Sequence, residues 1–482
     1  MNHIHAFTDD VLGNLDAVGL ADRLRHKEIS LEEVITCTQQ RYQRMEPHIA
    51  AVQLEVKRPL ERFPARPLGI FAGVPTYIKD NVDLSGCPTR AGSAAIPERI
   101  ATSHDPFVEQ FLSLGFVPVG KSRMPEFGLN ASTEYLHAPP TRNPWNLDYS
   151  AGASSGGAAA LVASGVVAIA HANDGGGSIR IPAASCGLVG LKPSRGRLIS
   201  SRTARSLPIN LVGEGVLTRS VRDTAHFLYG AESYLRNPKL PPIGLVHGPG
   251  SQRLRIAFVQ KVPTGFPVDP EVKQALHDIA LLLESMGHQV DEMEQLPIAE
   301  TFTDDFTIYW GLIAFAASKV SALLYGKDFD GAQLESLTKG LAALYQKQLH
   351  RTPGVLYRLA RSTHDYHKAM ARYDVILSPV LAHTTPKLGY LKPDLHFDEH
   401  FARLKAYVGF TPLNNVTGTP ALSLPLAKTQ KGLPLGIHFS GKFGEERTLL
   451  ELAYALEEAR PWQFLWEKDH NSGRGAFETV SR

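Results

Sequence analysis

The chain reads as one large α/β domain, and three observations carry that prediction. From about residue 66 to 235, short apolar stretches such as 115–121 (GFVPVGK) and 166–170 (VVAIA) alternate with helical patterns and glycine-rich turns, the rhythm of a sheet layered with helices. Of the 482 residues, 43% are hydrophobic, 20% charged and 8% aromatic, which excludes disordered, collagenous and coiled-coil chains. No repeat, low-complexity block or composition shift marks a boundary. Residues 1–482 are therefore expected to form a single domain, with 66–235 as its core and 300–370 as a helical insertion that shapes the substrate site.

Residues 9–46 read as two helices. The second carries a cap at Ser30 with Glu33 three residues on, followed by Val34, Ile35 and Tyr42 at helical spacing. The stretch 236–253 holds four prolines and several glycines and predicts a connecting loop. After it, 255–259 (RIAFV) predicts a buried strand, and Asp269-Pro270 opens a helix to about 286. Residues 300–370 are mostly helical and carry Phe302, Phe306, Tyr309, Trp310 and Tyr325. The segments 373–379, 421–425 and 436–441 read as strands, 445–459 as a last helix, and the polar tail from Asn471 as frayed.

Lys plus Arg (50) nearly balances Asp plus Glu (48), for a formal charge of +2, so nucleic acid and anionic membranes are not expected partners. Cys37, Cys87 and Cys186 stand far apart, as small buried apolar residues in a reducing compartment do. The first residues, MNHIHAFTDD, lack the basic and apolar regions of a signal peptide. The run 158–170 is too short for a membrane span. A cytoplasmic protein is the expectation.

Two stretches dense in glycine and serine, 150–157 (SAGASSGG) and 173–180 (NDGGGSIR), are the strongest chemical signal. Successive glycines before Ser178 let backbone amides converge on one point, which suits charge that develops only in a transition state. A phosphate loop would need GxxxxGK[ST], which is absent. Gly152-Ala-Ser-Ser-Gly156 fits the G-x-S-x-G nucleophile elbow, but the preceding 143–149 is polar and broken by Pro144 rather than a buried strand. None of the nineteen histidines stands in a context that marks it as the elbow's partner. Lys79 follows the apolar lead-in 74–78; burial there would lower its pKa and let a neutral amine take a proton from serine. The bland alternative is a surface lysine paired with Asp80.

Lys79 in GVPxxxKDN, the GxSSGG pattern at 152–157 and DxGGSIRIPA at 174–183 together resemble the amidase signature family. So do CGLVGLKP at 186–193, RSVRD at 219–223, YDVILSP at 373–379 and NVTGTPA at 415–421. The resemblance spans roughly 10–465. It implies a central mixed β-sheet covered by helices on both faces, and an amidase that cleaves a carboxamide C–N bond through an acyl-enzyme. Ser178 matches the nucleophile, Ser154 the bridging serine after a cis peptide, and Lys79 the general base. The amides of Gly175, Gly176, Gly177 and Ser178 match the oxyanion hole. Ser155 looks like a supporting hydroxyl, with Asp174 and Arg180 bracing the loop.

Ala153 and Asn173-Asp-Gly-Gly-Gly depart from the commonest family pattern, and the Asn-Asp pair leans toward 6-aminohexanoate-cyclic-dimer hydrolases. The resemblance implies no metal, no cofactor and a small amide substrate, and it is compatible with a homodimer. Met124, in KSRMPEFG at 121–128, together with Tyr309, Trp310 and Phe315, is read as an apolar wall for the substrate; the competing reading makes the aromatics core of the insertion. Two other functions compete with this one: the glutaminase subunit of a tRNA-dependent amidotransferase, and a catalytically silent binding protein. The helical region at 300–370 and the Asn-Asp-Gly loop speak against the first, and the retained lysine and serines against the second.

Overall fold

Thirteen strands organise the described residues, 3–63 and 69–467 of a computed structural model. In chain order they are β1 Val52–Glu55, β2 Pro75–Lys79, β3 Val117–Ser122, β4 Arg142–Asn143, β5 Asn146–Ser150, β6 Ile169–Asp174 and β7 Val189–Lys192. There follow β8 Gly213–Thr218, β9 Arg255–Phe258, β10 Gln289–Glu292, β11 Val375–Pro379, β12 Ala421–Lys428 and β13 Pro434–Gly441. Eight of them form one mixed sheet in the order β10-β9-β11-β13-β12-β7-β8-β6. The β10-β9-β11 end is parallel and the rest antiparallel. A second sheet of order β1-β3-β2 stands beside β6, and β4-β5 is a separate hairpin.

Helices cover both faces of the large sheet. A side chain added at Gly436 on β13 would meet Ala184 of the helix Arg180–Cys186, whereas one added at Gly441, five residues along, would meet Leu449 of the helix Glu446–Ala459. Side chains alternate along a strand, so the two helices lie on opposite faces. The fully buried β2, β3, β6, β7 and β11 carry apolar runs, as strands covered on both sides do.

The helix Leu31–Ile49 starts with a capping box: Ser30 accepts from Glu33 N and Glu33 accepts from Ser30 N. No strand or helix interrupts 236–253, as its prolines predict. The strand expected at 166–170 begins instead at Ile169, because Gly165, at φ +80°, first turns the chain out of the helix Gly156–Ala163. Residues 300–370 hold the helices Phe302–Tyr325, Ser336–Lys347 and Thr352–Ala369. The tail from Asn471 lies outside the described residues.

One helix among the described residues, residues 302–328, is long and apolar enough to cross a membrane by length and composition. Its first half buries Phe302, Ile308 and Tyr309, while Val320, Leu323 and Leu324 near its end are exposed.

Candidate active site

The junction between the two sheets is sewn by side chains rather than by a backbone ladder. Thr76 Oγ1 on β2 donates to the Ile169 carbonyl on β6 at 3.0 Å, and Lys79 N donates to His171 Nδ1 at 3.1 Å. This seam carries Lys79, the last residue of β2, into a fully buried position. Its Nζ lies 2.7 Å from Ser154 Oγ, 2.9 Å from Ser155 Oγ and 2.7 Å from Asn173 Oδ1, with the Asn173 carbonyl at 3.3 Å. All of these partners are neutral. Burial pulls the ammonium down to about 7, against the opposing pull of the Glu214 and Asp174 carboxylates.

The pairing with Asp80 does not form. The Asp80 carboxylate, one residue past the end of β2, instead accepts from Lys121 Nζ at 2.8 Å. Ser155, expected to support from a distance, sits directly on Lys79 and passes its own hydrogen to the Asn173 carbonyl at 3.3 Å.

Ser154 follows a cis peptide from Ala153 and precedes the helix Gly156–Ala163. The strand before it, β5, is half-exposed and belongs to a hairpin outside the large sheet, which is not the setting of a nucleophile elbow. Ser154, Gly175, Gly176 and Ser178 all line one cavity of about 230 Å³. Among the described residues no hydrogen bond joins Ser178 Oγ to Ser154.

Asp174 organises the glycine loop. Its Oδ1 accepts from Gly177 N at 2.6 Å and Arg180 Nη2 at 2.9 Å; its Oδ2 accepts from Ile179 N at 3.1 Å and Arg180 Nε at 2.9 Å. Burial alone would raise this carboxyl, but the Arg180 guanidinium and the Asn415 amide hold it well below the usual carboxylate range. Arg180 in turn reaches Asn414, Asn415 and His438 from the far half of the chain. Gly177 sits at φ +132°, and a Cβ there would come within 2.4 Å of Thr411 Oγ1, so only glycine fits. Its amide hydrogen is committed to Asp174, which removes Gly177 from the expected set of oxyanion donors. Gly175, Gly176 and Ser178 remain facing the cavity.

Met124 and Trp310 line the cavity together with Phe127, Phe306 and Ile313. Tyr309 and Phe315 do not. The Tyr309 hydroxyl donates to the Ile209 carbonyl at 2.6 Å, and Phe315 packs on Tyr345 with ring centroids 5.6 Å apart. The wall follows one helical stripe, 306-310-313-317, and both misplaced aromatics fall off it. His171 and Asn173 escaped the sequence reading of the site. Both lie two residues apart on β6 and so share the face turned toward Lys79, a signal available once β6 is placed. Among the described residues, no group of three or more His, Cys, Asp or Glu side chains could hold a metal ion.

The family model described as "Amidase" matches residues 34–450. The chain is 47% identical over 463 residues to the "Putative amidase AmiC" of Mycobacterium leprae, covering 96% of this chain and 98% of that one. It is 31% identical over 476 residues to the 6-aminohexanoate-cyclic-dimer hydrolase of Paenarthrobacter ureafaciens, covering 93% and 95%. A solved 6-aminohexanoate cyclic dimer hydrolase superposes with a TM-score of 0.83 at 29% identity over 94% of this chain and 98% of that one. A bacterial aryl acylamidase of the amidase signature family superposes at 0.81, with 26% identity over 96% and 99%.

Proposed function

The chain belongs to the amidase family and is a hydrolase of carboxamide C–N bonds; from that premise we propose that it works through Ser178, Ser154 and Lys79 by way of an acyl-enzyme. The observation that supports this most is the hydrogen inventory at Lys79. A neutral amine has two hydrogens and one lone pair. Asn173 Oδ1 can only accept, and Ser155 has already given its hydrogen to the Asn173 carbonyl; that carbonyl is the longest contact of Nζ at 3.3 Å, so in the neutral amine the two hydrogens go to Asn173 Oδ1 and Ser155 Oγ at 2.7 and 2.9 Å. The lone pair is left for the hydrogen of Ser154, 2.7 Å away.

Ser178 Oγ attacks the amide carbonyl while its proton passes to Ser154 and that of Ser154 to Lys79. The tetrahedral oxyanion is held by the amides of Gly175, Gly176 and Ser178; losing one such donor typically costs about 3–4 kcal/mol. The C–N bond breaks as the relay runs backwards and protonates the departing amine. Water then attacks the ester, giving its proton to the same relay, and the carboxylic acid leaves with Ser178 restored. No metal and no organic cofactor enters these steps. The substrate is a small amide with an apolar arm against Met124 and Trp310, compatible with linear or cyclic aliphatic amides and anilides. The reading further takes 1–482 as one catalytic domain, 66–235 as its core and 300–370 as the element that shapes the substrate site, in a cytoplasmic protein with a homodimer allowed.

The test is hydrolysis of a panel of primary amides, anilides and cyclic oligoamides by the wild type, Ser178→Ala and Ser154→Ala. Ser178→Ala is expected to abolish turnover with the fold intact. If Ser178→Ala keeps most activity and Ser154→Ala does not, the elbow reading replaces this one.

A further inference from the structure

His171 and Glu214 lie behind the proposed base, and neither touches the substrate cavity. On β6 and β8, Asn173 stands opposite Glu214 and His171 opposite Val216, so Glu214 shares the face of His171 and Asn173. His171 is fully buried, its ring 4.7 Å from Phe107 and 5.9 Å from Phe111 between centroids. Its Nδ1 accepts the backbone hydrogen of Lys79, which fixes the tautomer: the remaining hydrogen sits on Nε2 and donates to Glu214 Oε2 at 3.2 Å. Glu214 Oε1, also buried, has no partner among the described residues.

We propose that His171 and Glu214 are positioning residues for the amide reaction: the imidazole clamps the backbone of Lys79, and the carboxylate behind it sets the basicity of the amine. The proposal rests on Lys79 being the base. Burial works to strip the proton from Lys79, and the Glu214 charge, with that of Asp174, opposes it. The other charged groups around the pair are Asp105, ahead of the helix Pro106–Ser113, and Arg202, whose backbone donates to Asp105 at 3.0 Å. Without Glu214, Lys79 would lose its proton at lower pH and become a weaker base.

The experiment follows the rate at which a fluorophosphonate labels Ser178 of the full chain as pH is varied, read by mass spectrometry, beside the melting temperature. The wild-type midpoint is expected near 7. Glu214→Gln keeps the shape and removes the charge, so its midpoint should fall by about one pH unit, with a lower plateau. Glu214→Asp keeps the charge and should hold the midpoint near the wild-type value. His171→Phe keeps the aromatic packing but loses both hydrogen bonds, and should lower the plateau and move the midpoint; it decides the matter should Glu214→Gln fail to fold. A lower melting temperature with an unmoved midpoint in both would make the pair structural and overturn the proposal. Absence of wild-type labelling at every pH would instead overturn Ser178 as nucleophile, and the proposal with it.

Discussion

Lys79 and Lys121 stand on neighbouring parallel strands, with Lys121 opposite Ile78 in the register, and both are fully buried. Lys121 meets the Asp80 carboxylate at 2.8 Å, and also donates to the Pro88 carbonyl and to Thr89 Oγ1 at 2.8 and 2.7 Å. Lys79 meets two hydroxyls and an amide oxygen. The same side chain, equally removed from water, is thus an ion pair on one strand and a candidate base on the next. Burial drives Lys79 toward the neutral amine because no carboxylate touches it, whereas Lys121 has the Asp80 carboxylate in contact.

The largest effect that could break this contrast comes from making Lys79 permanently charged. Lys79→Arg should lower kcat/KM by about 10³-fold or more, because guanidinium stays protonated. A near-normal rate would end the comparison. The pH profile sharpens it: with Lys79 pulled down to about 7, the protonated and inactive form accumulates below that pH. Measured kcat/KM should then fall about tenfold per unit on the acid side. The Lys121 arm should show in stability, not chemistry. Lys121→Met leaves the Asp80 carboxylate buried without its partner and should cost about 3–5 kcal/mol in denaturant unfolding, and Lys121→Met with Asp80→Asn should recover most of that loss. Smallest is the wall: Trp310→Ala should narrow the preference for long over short acyl chains about tenfold, a loss of roughly 1–2 kcal/mol of apolar contact, with little change in melting temperature.

How far these contrasts were legible in the sequence depended on how local their causes are. Ser154, Ser178 and Lys79 stand in short patterns whose order along the chain is itself the signal. The capping box at Ser30 and the Asp269-Pro270 helix start are local for the same reason. The partner of Asp80 is not: Lys121 joins it only through the pairing of β2 with β3, and the apolar lead-in of Lys79 says nothing of that. Tyr309 and Trp310, adjacent in sequence, part ways by one step of helical rotation, which separates core from cavity. Gly177 shows a third limit. The density of glycines announces a nest of amides, but which amide is spent on Asp174 is a matter of fractions of an ångström.

The reach of Arg180 also bears on how the chain is made. Lys79 and Ser178 are 99 residues apart, so during synthesis Lys79 leaves the ribosome well before Ser178. The loop that presents Ser178 is braced through Arg180 and Asp174 by Asn414, Asn415 and His438, and Asn415 follows Asp174 by 241 residues. The braced form of the loop that carries Ser178 is therefore out of reach until residues 414–438 have been made and folded onto it, however early the loop itself is synthesised.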